Sequence, residues 1–307
     1  MTTTLPPDWE TYLDSWTLAM EADSYPATTI RSYTAGTRHL AAWILRADPD
    51  VGPTDITRDH VRGWMRDMHS ECSRSTVRTR LAGARHYCGW LVSDGETDSD
   101  PSRAVKMPPP PEQVTPVVPL EQIAALLDTC KGKDFVSRRD EAIIRLLFDS
   151  GPRLAEITGL TVADVDVRER VAYVQGKGSV RRGAKPRVLA YGSRTARALD
   201  RYQRVRRAHP LADLPALWLG GRGRGPITAG AIKVMLHRRG AQVGVELHPH
   251  MARHTWAHQY RRNGGSEGAL KVLGGWRNRV QLDRYGASAE EERAREEAGR
   301  YSLGDKL

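Results

Sequence analysis

Apolar residues recur every three to four positions through most of the chain, the spacing of helices with one buried face. Trp9, Tyr12, Leu13, Trp16 and Met20 form the first such stripe. A second begins near Thr28 or Thr29, carries Ile30, Tyr33, Leu40, Ile44 and Leu45, and stops before "ADPDVGP". A third starts near Thr57, with Val61, Trp64, Met65 and Met68. A fourth follows a cap in Ser73–Ser75 and carries Val77, Leu81, Ala84, Trp90 and Leu91. Its other face holds Arg74, Arg78 and Arg85, a stripe suited either to phosphates or to solvent.

The pattern breaks at "DSDPSRAVKMPPPPEQVTPVVP". Successive prolines and few apolar residues predict a stiff, extended linker over residues 101–118, between a helical domain at 1–100 and a second domain at 119–307. Beyond it, "LEQIAALLDTC", "RRDEAIIRLLFDSG", "RTARALDRYQRVRRAH" and "TAGAIKVMLHRRGAQ" read as helices, and "AEITGL" opens a short one. "RVAYVQ" and "PRVLAY" alternate as strands around the basic loop "GKGSVRRGAK". "HPHMARHTWAHQYRRNGG" is a helix with Pro249 in its first turn and Gly264 near its end. The fold class is mainly α with a small antiparallel β-sheet (α+β).

Charge separates the two parts. Residues 1–114 hold 12 basic and 16 acidic side chains, a balance of −4. Residues 115–307 hold 35 basic and 21 acidic, a balance of +14. A polyanion is the natural partner of the second part. Arginine outnumbers lysine 39 to 8, and its guanidinium fork suits phosphate. A GC-rich genome accounts for much of that excess but not for the asymmetry. No apolar run approaches the ~18–20 residues of a membrane span. "MTTTLPPDWE" lacks the basic and apolar regions of a secretion signal. Cys72, Cys88 and Cys130 are odd in number and far apart, which fits a reducing cytoplasm rather than a disulfide framework.

Four of the ten histidines crowd into one helix: His248, His250, His254 and His258. The last three lie four apart and invite a zinc site. No carboxylate falls within the segment, and Arg253 places a fixed cation beside them, so no metal is expected. His250 and Arg253 share a face at i and i+3 and can point at one phosphate. From this segment alone, a helix cap at His250 and a structural ion pair at Arg253 are the favoured reading.

Other segments change the balance. "SGPRLAEITGL" sets Arg153 before a helix with Glu156 three residues on. "VQGKGSV" sets Lys177 in a glycine-flanked turn. "LGGWRNRVQLDRYG" supplies Trp276 and, nine residues later, Tyr285. In this order the residues resemble the tyrosine recombinases, or phage integrases, of the compact two-domain, Xer-like type. The resemblance runs from about residue 8 to the end. It implies an N-terminal helical core-binding domain (SAM-like) at 1–100 and a catalytic domain at 119–307, with a tail helix at 287–307. No arm-binding domain is expected before residue 8.

The resemblance also implies roles. Arg153 and Arg253 bind the scissile phosphate, Glu156 supports Arg153, and His250 accepts a proton or binds phosphate. Lys177 protonates the leaving oxygen, and Tyr285 is the nucleophile. Trp276 stands where many members have histidine; it either donates its indole N–H to the phosphate or packs. The hairpin is longer and more basic than usual, with Arg181, Arg182, Lys185 and Arg187 expected against DNA, and Lys185 is a second candidate acid. "ARHT" replaces the usual "LRHT", which changes packing but no chemistry.

Attack by Tyr285 would leave a 3′-phosphotyrosine and a free 5′-hydroxyl, with no metal, ATP or other cofactor. The expected partners are double-stranded recombination sites, other copies of the chain in a tetramer, and accessory DNA-bending or directionality proteins. The rival readings are a type IB topoisomerase-like enzyme, a histidine-dependent phosphodiesterase, and a DNA-binding protein without catalysis.

Overall fold

The computed structural model describes residues 4–110, 116–175, 186–221, 223–276, 294–295, 297–301 and 304. The chain forms two compact units, residues 1–113 and 114–307.

The first unit packs four helices: α1 (Pro7–Ala22), α2 (Ala27–Ala47), α3 (Arg58–Glu71) and α4 (Arg74–Ser93). Thr57 and Ser73 accept the N–H of His60 and Thr76, and so start α3 and α4. Trp9, Trp16, Trp64 and Tyr87 are buried at the centre. Their size makes this core rich in apolar area for its length. The Trp16 indole N–H donates to His86 Nδ1 at 3.0 Å, and His86 Nε2 meets the Tyr25 hydroxyl at 3.0 Å. Burial lowers the pKa of this imidazole, which keeps it neutral as the core requires.

Helices α2 and α4 cross at two glycines. A Cβ on Gly36 would lie 2.7 Å from the Arg80 carbonyl oxygen, and one on Gly83 would lie 2.5 Å from that of Tyr33. Backbone therefore meets backbone there, where any side chain would hold the helices apart.

The first unit extends past residue 100. Ser102 and Val105 are buried, and Asp100 Oδ1 accepts from the Ser102 N–H at 2.8 Å and its hydroxyl at 2.6 Å. Arg78 donates to the Pro108 carbonyl. The expected linker over 101–118 is thus consumed at both ends. At the far end Val118 is buried in the second core, and its N–H donates to Thr255 Oγ1 at 2.9 Å.

The second unit contains α5 (Leu120–Asp128), α6 (Phe135–Ser150), α7 (Leu154–Gly159), β1 (Val165–Asp166), β2 (Val171–Gln175), β3 (Pro186–Ala190), α8 (Ser193–Arg206), α9 (Ala229–Ala241), α10 (Pro249–Arg262) and α11 (Glu267–Gly274). The short β1 and α11 were not anticipated. The sheet is antiparallel in the order β1-β2-β3, with Tyr173 opposite Val188 and Val174 opposite Arg187. The core packs Ile143, Ile144, Leu146 and Leu147 of α6 with Leu199 and Tyr202 of α8, and Tyr202 stacks on Trp218.

A buried carboxylate ties α6 to α9. Asp140, fully buried, accepts from Arg139 at 2.8 Å, Arg238 at 3.1 Å and Arg239 at 2.8 Å. Cys72, Cys88 and Cys130 are free thiols. Among the described residues no helix is long and apolar enough to cross a membrane.

The α2–α4 crossing sets two opposing expectations. Gly83→Ala should destabilise the first unit by about 1–3 kcal/mol, since overpacking exceeds the helix-propensity gain. Gly89→Ala, on the same helix with nothing within 4 Å of its Cβ position, should be neutral or stabilising by up to about 1 kcal/mol. Urea unfolding of both variants checks this; equal midpoints would refute the close crossing.

Candidate active site

The site grows from three helix ends. Helix α6 stops at Gly151, whose φ of 56° lies in the left-handed region. A Cβ there would sit 2.1 Å from the Trp256 ring, so only glycine lets α10 approach. Two residues on, Arg153 caps α7. Glu156 in the first turn reaches back and accepts the Arg153 backbone N–H at 2.6 Å. The same carboxylate accepts Arg153 Nη1 at 3.0 Å.

Helix α10 starts at His248, whose Nδ1 accepts the Met251 N–H at 3.2 Å. The cap is therefore His248, which leaves His250 exposed in the first turn and three residues before Arg253. Arg253 is buried, with 4% of its surface exposed. Its Nη1 donates to the Gly151 carbonyl at 2.6 Å and its Nη2 to that of Gly274 at 2.5 Å. Its guanidinium carbon lies 4.4 Å from the centroid of the Trp276 ring, a cation–π arrangement. Trp276 is itself buried and stacks on Trp256 at 6.1 Å.

Helix α11 supplies the acceptors. Its end, capped by left-handed Gly275 (φ 62°), presents the carbonyls of Leu273, Gly274 and Gly275. These three in succession accept from Arg187, Arg253 and Arg153. The last bond is 3.0 Å from Arg153 Nη2. A helix C-terminus carries unpaired carbonyls and a partial negative charge, so it gathers cations.

Arg187 is a correction. Expected against DNA in the basic hairpin, it lies instead on the inward side of β3, the parity of buried Leu189. Its Nε and Nη2 donate to Glu156 Oε1 and Oε2 at 3.1 and 2.6 Å. The alternation "PRVLA" contains this signal, because a residue two from a buried leucine shares its face. Burial alone would raise the Glu156 pKa. The hydrogen bonds and charge of Arg187, with those of Arg153, hold it below the ordinary carboxylate value.

The structure thus brings Arg153, Glu156, Arg253 and Trp276 together, with His250 on the same turn of α10 as Arg253. Lys177, Arg181, Arg182, Lys185 and Tyr285 lie outside the described residues, as does most of the expected tail helix at 287–307. Residues 294–295 and 297–300 are helical. In the first unit Arg74 is exposed while Arg78 and Arg85 are half-buried on one face of α4, Arg78 being held by Pro108.

Among the described residues no group of three or more His, Cys, Asp or Glu could hold a metal ion. His254 and His258 are buried, with 4% and 3% exposure. Burial, then His258 and His250, pushes the His254 imidazole down to about 4. Burial, then Arg253 and His248, lowers that of His250.

The phage integrase family model matches residues 116–292. The tyrosine recombinase XerC of Pseudomonas savastanoi pv. phaseolicola is 30% identical over 253 residues, covering 81% of each chain. That of Neisseria meningitidis serogroup B is 31% identical over 250 residues, covering 80% of each. The chain belongs to the phage integrase family. It is a tyrosine recombinase, a site-specific enzyme that breaks and rejoins DNA. Its fold is that of the XerH site-specific recombinase solved on its palindromic difH substrate, with a TM-score of 0.72, 13% identity, and coverage of 89% of this chain and 80% of that one. The phosphodiesterase and topoisomerase-like alternatives are not favoured.

Buried, neutral His254 gives this recombinase a pH-dependent stability. A histidine whose pKa falls from ~6.5 unfolded to about 4 folded stabilises above ~6.5 and loses that contribution as pH falls toward 4. Between pH 7 and 5 the loss should be about 2 kcal/mol. Urea unfolding of wild type and His254→Gln at both pH values measures it as the difference between their pH dependences; identical dependences would refute it.

Proposed function

We propose that this recombinase cuts DNA with Tyr285, using Arg153 and Arg253 as the clamp for the scissile phosphate. One observation carries this reading: the two arginines are held on neighbouring carbonyls, Gly275 and Gly274, at one helix end. A phosphodiester resists attack because its oxygens are already negative and gain charge as the fifth bond forms. Fixed guanidiniums oppose that cost without reorganising. Among the described residues, with Arg187, the site holds three arginines against the single carboxylate of Glu156, and the positive excess suits a phosphate.

The Tyr285 hydroxyl, with a pKa near ~10, is mostly protonated at neutral pH and passes its proton to His250 as it attacks phosphorus. The bond to the 5′-oxygen breaks, and Lys177 supplies the proton that oxygen takes. The products are a 3′-phosphotyrosine and a 5′-hydroxyl. A 5′-hydroxyl from a second strand reverses the step and joins the two. Trp276 serves the clamp by lying against Arg253, a role supported by their 4.4 Å separation.

The partners in this reading are double-stranded recombination sites. The exposed part of the Arg74, Arg78 and Arg85 face and the hairpin cations Arg181, Arg182 and Lys185 grip the backbone. Copies of the chain assemble as a tetramer on paired sites, with accessory DNA-bending or directionality proteins joining where the site demands them. The cytoplasm, where bacterial DNA lies, is the proposed location.

A pool of nicked duplexes with a randomised core, incubated with the protein and resolved on a denaturing gel, should yield covalent adducts whose DNA identifies a cleavable site. Tyr285→Phe should give none while still shifting that duplex on a native gel. A persistent adduct would remove Tyr285 from the role.

On the same duplex Lys177→Ala should slow cleavage by about 10²–10⁴-fold, the usual loss of a general acid. A 5′-phosphorothiolate at the scissile bond should restore it, because sulfur leaves without a proton. Rescue of Lys185→Ala instead would transfer the role to Lys185.

A further inference from the structure

We infer that Arg187 is a positioning residue for strand cleavage: it holds Glu156 and the end of α11, and through them sets the charge and placement of Arg153. This rests on the reading of Arg153 as a phosphate clamp.

The side chain of Arg187 is 7% exposed, and every nitrogen of its guanidinium is engaged. A guanidinium is costly to bury, and here one carboxylate and one helix end offset the cost. Glu156 is saturated in turn. Oε1 accepts from Arg153 Nη1 and Arg187 Nε, and Oε2 from the Arg153 backbone N–H and Arg187 Nη2. One negative charge is thus divided between two guanidiniums.

That division matters for catalysis. If Glu156 faced Arg153 alone, the two would form a neutral pair. The carboxylate would then compete with the phosphate for the same guanidinium. With Arg187 present, the trio keeps a net positive charge. Glu156 still orients Arg153, but Arg187 absorbs part of its pull.

Arg187 also fixes where Arg153 ends. Its Nη1 holds the Leu273 carbonyl, next to the Gly274 and Gly275 carbonyls that hold Arg253 and Arg153. Its stem lies against Gly275, where a Cβ would come 2.9 Å from Arg187 Cδ. One side chain therefore sets both the electrostatic partner and the backbone anchor of the clamp.

Single-turnover cleavage at saturating protein, on the duplex recovered with the wild type, tests this. Each variant is held well below its melting temperature, so that the folded fraction is complete. Arg187→Gln should cleave roughly 100-fold more slowly, a loss comparable to that of a transition-state donor. Arg187→Lys keeps the charge but not the fork, and should cleave about 10-fold more slowly. Arg187→Gln combined with Glu156→Gln removes the competing carboxylate. It should cleave at least about 10-fold faster than Arg187→Gln alone, because coupled residues are not additive.

A merely structural Arg187 predicts instead that fully folded variants cleave as the wild type does. Rates within about twofold of wild type for Arg187→Gln and Arg187→Lys, or a double variant no faster than Arg187→Gln, overturn the inference. If Arg187→Gln does not fold, Arg187→Lys decides by the same criterion. Arg153→Lys is measured alongside. A wild-type rate there overturns the clamp reading itself; a slow Arg153→Lys beside fast Arg187 variants overturns only the role of Arg187.

Discussion

Three guanidiniums on three consecutive carbonyls at the end of α11 hold this site together. A catalytic centre for phosphate must be positive, yet positive side chains repel one another and resist burial. A helix C-terminus resolves the conflict with dipoles rather than ions. Its carbonyls bind Arg187, Arg253 and Arg153 without cancelling their charge. A carboxylate in the same place would bind as firmly and neutralise them. Among the described residues Glu156 is the one carboxylate that meets these arginines, and it is shared. The glycines follow from this arrangement. Gly275 turns the chain at the helix end, and Gly151 brings the end of α6 to Arg253.

Most of the architecture was legible in the sequence. The apolar periodicity located α1 to α4, and the capping residues Thr57 and Ser73 marked two of their starts. The linker was drawn too long because composition averages over a segment, whereas burial acts on single residues. Val105 and Val118 suffice to fold its ends into the two cores. The two-residue β1 and eight-residue α11 are too short to show a period. At the site, Arg153 with Glu156 and His250 with Arg253 were visible as spacings. Their acceptors were not, because backbone carbonyls have no side-chain signature. Arg187 was misjudged for a related reason: the charge of its neighbours outweighed the alternation that places it inward.

Residue type alone also fails to separate chemistry from support. Asp140 gathers Arg139, Arg238 and Arg239 much as Glu156 gathers Arg153 and Arg187. The first hub is fully buried at its carboxylate and joins α6 to α9. The second joins α7 to β3, and its Arg153 lies on the carbonyl next to the one that holds Arg253. The histidines of α10 divide similarly: His248 caps the helix, His250 stands at its exposed first turn, and His254 and His258 are core. Their density in the sequence reflects three different tasks.

The contact between Gly151 and the Trp256 ring reaches beyond this molecule, into how such a site can change over generations. The indole occupies the volume that any side chain at 151 would need. A substitution at 151 alone meets the ring. A smaller residue at 256 alone opens a void beside Trp276 and the arginine it covers. Neither position can drift singly without disturbing the clamp. The pair is therefore an evolutionary unit, exchanged together or kept, and positions 151 and 256 should carry linked histories although they stand far apart in the chain.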